Sequence, residues 1–395
     1  MFAIADTDRL VADSVITPDQ ASEIEHRARE SMVALAINSV LCLGIIAATA
    51  GLIFFLASAV AVAVSGTLAL VLGLWILSKR SELYAMFGNA AALIGAGMLI
   101  GGATLELLEK FEDGAGWVLM LGGLAVLAVT GWRLRAGALT ARFVIGSIGL
   151  MGLAMHLGGM GLLLEQTETY GLIKALFFLY AALAIGAAGW AIDVRFVTAL
   201  AIVPFAQMLD TGTFYFHALY AFYSPESTLS IIQMALLIAV SLWLAGRVGE
   251  RHARHARVLA VLGFIVANMC ALVGSLWGDV VGETVWGPDR RADNLGYEAY
   301  QAAREVFVAN ALVIDDSVYA LLWAVALVAM ILWAAHRHNR GLLNAGLTFG
   351  AIHAYTQFFE SFADQPLAYA IGGLAAIPVA WGLWRANRWA VAQRS

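Results

Sequence analysis

Residues 33–78 read VALAINSVLCLGIIAATAGLIFFLASAVAVAVSGTLALVLGLWILS, from Val33 to Ser78, without one charged side chain. A helix crosses the roughly 30 Å core of a bilayer in about 20 residues, so this run is too long for one span and fits two. A hairpin near Ser58 divides it most economically. Similar runs recur almost to the end of the chain. Of 395 residues, 61% are hydrophobic and 13% charged, about half the charged share of a soluble domain. The expected class is an all-α integral membrane helical bundle.

About twelve membrane helices are expected, near residues 33–56, 59–78, 84–107, 115–134, 142–164, 170–191, 194–211, 227–247, 257–278, 316–336, 341–361 and 366–385. Residues 1–31 form a polar N-terminal segment. Within it, Thr17-Pro18-Asp19-Gln20 spells a capping box, with Thr17 at N-cap, Pro18 at N1 and Gln20 at N3. A helix follows with Ala21, Ile24 and Ala28 on one side, and the preceding DRLVADSVI folds back on it as a shorter one. Residues 32–386 are the bundle, 279–315 its longest loop and 387–395 a tail.

Lysine and arginine orient the bundle, because they accumulate in cytoplasmic loops. Eighteen of the 23 fall in the termini and in alternate loops, including Lys79, Arg133, Arg195, Arg251 and Arg337. Only Lys110, Arg290, Arg291 and Arg304 face the other way, and Lys174 lies within a span. Both termini are therefore expected in the cytoplasm. The outer side is acidic, with Asp279, Glu283, Asp289, Asp293, Glu298, Glu305 and Asp315 in the 279–315 loop. The second half of that loop, YEAYQAAREVFVANALV, has the pattern of a surface helix, and Trp277 and Trp286 suit the lipid–water interface. The HARHAR segment, His252–Arg257, reads as an anchor to anionic lipid headgroups on a cytoplasmic loop. A net charge of −5 and the absence of a basic tail argue against nucleic acid.

An internal echo suggests repeated two-helix hairpins inserted in parallel. LLEKFED (Leu107–Asp113) and FFESFAD (Phe358–Asp364) share E-x-F-x-D, and GGLAVLAVTGWRLRA (Gly122–Ala136) aligns without gaps on GGLAAIPVAWGLWRA (Gly372–Ala386). Parallel repeats build some transporters, and they are also a simple way to enlarge a bundle.

Ionisable groups at membrane depth are costly unless paired or wet, which makes them functional candidates. His353, Gln357, Glu360 and Asp364 share one helical face by their spacing. Glu106 and Glu109, with Asp113, do the same in the third helix. His156, Lys174 and Asp210 fall in the outer half of their helices. One reading is a hydrated outward cavity for substrate binding or proton coupling, with Lys174 as counter-charge; the other is that the acids only reach for the interface. Pro204 marks a kinked or broken helix, and the aromatic run FYFHALYAFY (Phe214–Tyr223) an interfacial or re-entrant segment. Gly97–Gly101 and Gly346–Gly350 permit close helix packing. Cys42 and Cys270, both in apolar runs, read as inert core thiols. P-loop, HExxH, CxxC-pair and GxSxG motifs are absent from the sequence, and neither a metal nor a cofactor is expected.

The DRLVADSVITPDQASEI start and the late NAGLTFGAIHAYTQFFESFAD resemble a group of uncharacterised bacterial membrane proteins that open with a short cytoplasmic ItpeqA-like segment. The matching positions are Ile16, Thr17, Pro18, Gln20 and Ala21, then Asn344, Tyr355, Phe359 and Glu360; Val15 stands where those proteins carry glycine. The resemblance implies a bacterial inner membrane and brings no activity with it. Three functions fit the residues. The leading one is a secondary-transporter-like or solute-binding protein with an outward polar cavity. The second is a non-catalytic scaffold or accessory subunit, docking an envelope protein or a second copy. The third is an enzyme on a lipid-linked substrate, with Glu360 or Glu106 and a histidine as acid and base.

Overall fold

The computed structural model describes residues 7–12, 14–56, 58–78, 82–136, 142–167, 171–216, 219–288, 295–337 and 339–362. Beyond these it describes 365, 367, 370–374, 377–378, 381–382 and 385. Asp364 and the side chain of Cys42 lie outside that description. The chain divides into two compact units, Met1–Gln166 and Thr167–Ser395.

In the first unit, α1 (Thr7–Ala12) precedes α2 (Pro18–Leu56). The capping box forms as spelled: the Thr17 amide donates to Gln20 Oε1 at 2.9 Å and the Gln20 amide to Thr17 Oγ1 at 3.2 Å. The Thr7 hydroxyl reaches Glu25 Oε1 at 2.6 Å, folding α1 back on α2. α2 runs 39 residues unbroken, about 58 Å at 1.5 Å per residue, straight through the point where the polar segment was expected to give way to the bundle. It ends beside Ser58, whose carbonyl receives the Val62 amide at 2.9 Å as α3 (Ala59–Ser78) begins. The charge-free run is thus two helices, as its length demands.

α4 (Glu82–Lys110), α5 (Glu112–Arg135) and α6 (Arg142–Gln166) complete the unit. Two antiparallel pairs, α3 with α4 and α5 with α6, are joined by glycines at intervals of seven. A Cβ on Gly95 would lie 2.3 Å from the Leu70 amide, and one on Gly159 2.3 Å from the Met120 amide. A Cβ on Gly73 would meet Ala92, and one on Gly123 would meet His156. The pairs correspond position for position: Gly66 to Gly116, Gly73 to Gly123, Gly88 to Gly152 and Gly95 to Gly159. Only glycine lets the backbones approach this closely. Gly97 and Gly101 present a different face of α4 to Thr49 and Ile53 of α2.

The second unit opens with α7 (Leu172–Ile192), which turns through Asp193 in left-handed conformation (φ 60°) into α8 (Arg195–Leu200). The helix expected over residues 194–211, kinked or broken at Pro204, breaks at Ala201 and resumes as α9 (Ile202–Gln207). Pro204 is the cause, since it has no amide to donate to the Leu200 carbonyl. The aromatic run that follows is a β-hairpin, β1 (Gly212–Phe216) paired antiparallel with β2 (Leu219–Tyr223). Its phenylalanines and tyrosines favour a pleated surface.

α10 (Ser227–Ala245) and α11 (Glu250–Trp277) form a long hairpin. The expected loop then resolves into β3 (Asp279–Val280), a single helical turn α12 (Glu283–Trp286), α13 (Tyr297–Asn310) and β4 (Val313–Ile314). β3 and β4 pair antiparallel and tie the loop's two ends together. α14 (Asp316–His336) and α15 (Arg340–Phe362) follow, packed through Gly346 against Ile331. In the core they share with α11, Ala271, Trp323, Leu327 and Phe349 pack together.

Eight helices are long and apolar enough to cross a membrane among the described residues: α3 to α7, α10, α11 and α14. Their surfaces stay greasy, with Leu183 65%, Leu236 61% and Leu332 65% exposed. Water would not tolerate so much apolar surface; a bilayer does. The chain is a multi-pass membrane protein in contact with lipid.

Candidate functional site

The β1–β2 hairpin, the end of α11 and the β3–β4 ladder enclose a cleft of about 840 Å³ in the second unit. Phe214, Phe222 and Tyr223 line one side and Trp277 another, with Phe214 edge-on to Tyr223 at 5.6 Å between ring centres. Asp279, Glu283, Arg304, Asp315 and Asp316 supply its charges.

Beside it, two buried carboxylates hold the segments that shape the cleft. Glu226, at the N-cap of α10 and fully buried, receives the Gly282 amide at 2.6 Å and the Thr284 amide at 2.9 Å. It thereby caps the turn that leads into α12. Asp279, 6% exposed, returns the favour across the site: its Oδ2 receives the Thr228 amide from the first turn of α10 at 2.8 Å. The free amides of a helix N-terminus suit such an anion. Oδ2 also receives the Tyr319 hydroxyl at 3.1 Å, and Tyr319 is hydrogen-bonded in turn to the Thr228 hydroxyl. Asp279 Oδ1 is buried and has no partner among the described residues.

Burial pushes the Glu226 carboxyl above its usual range; the two amides oppose that shift and the nearby Asp279 charge adds to it. Ser317 holds Asp315 below the usual range by donating its hydroxyl at 2.7 Å and its amide at 3.0 Å. Glu283 is neutralised by the Arg304 guanidinium, which reaches both of its oxygens. A hydroxyl cluster joins the base of the β1–β2 hairpin to α10 and α11: Thr211 bonds Ser224 at 2.9 Å and Ser230 at 2.7 Å, close to the buried thiol of Cys270.

The residues singled out by sequence lie elsewhere. In the first unit, Glu106 pairs with Lys110 along α4, Glu109 is exposed, and His156 Nδ1 engages the Met120 carbonyl at 2.8 Å. In the second, Lys174 and Asp210 form an ion pair at 3.0 Å, so the proposed counter-charge has a specific carboxylate. His353 and Gln357 do face the packed interior of α15. His353 sits edge-on to Trp323 at 4.7 Å, its Nδ1 buried without a described partner, and Gln357 donates to the Ser275 carbonyl at 3.3 Å. Glu360 is exposed, and Tyr355, 65% exposed, points away. His353 and Glu360 stand about 10 Å apart along the axis. Of the described candidates, none lines the cleft.

Sequence reasoning registered Asp279 and Glu283 only as members of an acidic loop, and missed Glu226, Thr228 and Tyr319. A glutamate before a helix looks like a surface cap; nothing local says that it is buried by a loop some fifty residues away.

At the other end of α11, the HARHAR segment is not a loop but the helix's first two turns. His255 is fully buried, with Nδ1 2.6 Å from Thr198 Oγ1 and Nε2 3.0 Å from Asp193 Oδ1. Arg251 takes the other Asp193 oxygen at 2.8 Å, and His252 stacks on Trp190. The hydrogen bond to His255, then the Arg251 charge, hold the Asp193 carboxyl below its usual range. Asp193 thus ties the α7–α8 corner to α11. A second hollow, about 470 Å³ between α7, α9 and α10, is lined almost wholly by apolar side chains. Set against known proteins, the chain matches no family model, no curated protein and no solved structure.

Proposed function

We propose that this membrane protein binds a solute in the cleft beside Asp279, as a secondary-transporter-like or solute-binding protein. The observation that carries this reading is the Oδ1 of a 6%-exposed aspartate, without a partner among the described residues, in the lining of an 840 Å³ cleft. Binding sites are concave, mostly apolar and furnished with a few placed polar groups, and this cleft has that composition. The polar cavity expected near His353 and Glu360 moves, in this reading, to the opening between the hairpin and the loop. In the same proposal the remaining apolar segments complete twelve spans in a bacterial inner membrane, with both termini cytoplasmic and the cleft facing out. Ala221, in the cleft wall, offers the test. A solute panel covering cations, anions and neutral compounds should raise the melting temperature of the detergent-purified protein, and Ala221→Trp should abolish the shift by filling the cleft. A panel without effect, or shifts untouched by Ala221→Trp, would overturn the reading.

The scaffold reading has one observation in its favour. Trp286, Val306 and Leu312, at 70%, 67% and 66% exposure, present apolar surface on the loop itself, where a partner protein or a second copy could seat.

A further inference from the structure

Resting on the solute-binding reading, we infer that the cleft takes an organic ammonium cation, its nitrogen held by Asp279 and its apolar body by the aromatic wall. The charge inventory points that way. Glu283 is already paired with Arg304. Asp279, Asp315 and Asp316 remain, and no described lysine or arginine pairs with any of them. Asp315 and Asp316 are exposed, whereas Asp279 is buried, so the negative charge deepens from the opening inward. Low-dielectric walls focus such a field on an entering cation.

Asp279 Oδ1 is the specific feature. A buried carboxylate oxygen without a partner is costly, and an ammonium N–H supplies the missing donor as a charge-assisted hydrogen bond. Oδ2 is held by Thr228 and Tyr319, so the carboxylate is already oriented before a ligand arrives. Asp279 is one of the residues that line the cleft, and it opens a ladder only two residue pairs long, Asp279 with Ile314 and Val280 with Val313. In the inferred complex this short ladder gives way enough for the nitrogen to reach Oδ1. Trp277, 73% exposed, and Phe214, 46% exposed, offer ring faces within the same cleft for the cation and its hydrocarbon. No group of three or more metal-type ligands occurs among the described residues, which favours an organic cation over a metal ion.

Benzylammonium, benzyl alcohol and benzoate share one ring and differ in charge, so their effects on the melting temperature of the full-length protein separate charge from shape. Benzylammonium should stabilise, with benzyl alcohol at least about tenfold weaker and benzoate without effect. Asp279→Asn keeps the acceptor for Thr228 and Tyr319 and should erase the preference for the cation. Should that variant fold poorly, Trp277→Ala, at an exposed position, should weaken benzylammonium about three- to tenfold. Equal stabilisation by the alcohol, or a preference for benzoate, with either shift lost in Ala221→Trp, would overturn the cation assignment and keep the solute site. Silence from all three compounds and from the wider panel would remove both. A third outcome also overturns the inference. If Arg290→Ala/Arg291→Ala destabilises the protein as much as Asp279→Asn does, and ammonium gives no shift, the chain supplies its own cation.

Discussion

Glu226 and Asp279 each satisfy backbone amides that belong to the other's segment, and this reciprocity makes both residues difficult to replace. Glu226→Ala leaves the Gly282 and Thr284 amides without acceptors, which should cost about 1–3 kcal/mol for each amide that stays buried. Denaturation of the purified protein measures it, and a loss within a few tenths of a kcal/mol would contradict the capping role. The pH dependence has a definite sign. Because the Glu226 carboxyl is raised in the folded state, folding binds more protons than the unfolded chain does. The associated stability is fully present below the unfolded value and is lost as pH rises through the folded one. The melting temperature of wild type minus that of Glu226→Gln should therefore fall as pH is raised from about 4.5. A flat or rising difference would contradict it. Asp193 behaves oppositely: its lowered carboxyl stabilises above the unfolded value and loses that contribution as pH falls through the folded one. The Glu226 and Asp279 links were not legible at the residue level, because their acceptors meet amides and a hydroxyl distant in the chain; Asp193 does meet side chains, His255 and Arg251, but they lie some sixty residues away.

Elements were far more legible, because a bilayer imposes length and apolarity on any helix that crosses it. Span ends were legible too where charges mark them, as at Lys110 and Arg135. Pro204 was legible as the mark of a kink or break, and the helix does break at Ala201; the strand pairing of the aromatic run after it was not read from the sequence. The glycine spacing of four at Gly97 and Gly101 was recognised, and those residues do meet α2. The spacing of seven, which closes α3 on α4 and α5 on α6 in matching fashion, was overlooked. The echo between Leu107–Ala136 and Phe358–Ala386 has a second copy that lies partly outside the described residues. Gly159→Ala places a methyl group 2.3 Å from the Met120 amide and should cost about 1–3 kcal/mol by forcing the pair apart. Gly131→Ala, in the same pair of helices but with nothing within 4 Å, should be neutral. Equal melting temperatures for the two variants would contradict the close-packed seam.

At the scale of the whole molecule, eight long apolar helices with exposed leucine and valine surfaces make a membrane protein. The distribution of arginine then proposes which way it points. In the second unit that proposal has a sharp geometric form. α11 runs 28 residues, about 42 Å, from the basic segment at Glu250 to the cleft at Trp277. The two ends should therefore lie on opposite sides of the bilayer. Gly249 precedes that helix at an open position, and Glu298 is exposed on α13 in the loop beyond its far end. With Cys42 and Cys270 replaced by serine, a single cysteine at each position can be probed in intact cells with a membrane-impermeant maleimide. Glu298→Cys should label without permeabilisation, and Gly249→Cys only after it. Labelling of Gly249→Cys in intact cells, or equal labelling of both, would contradict a spanning unit whose cleft opens on the outer side.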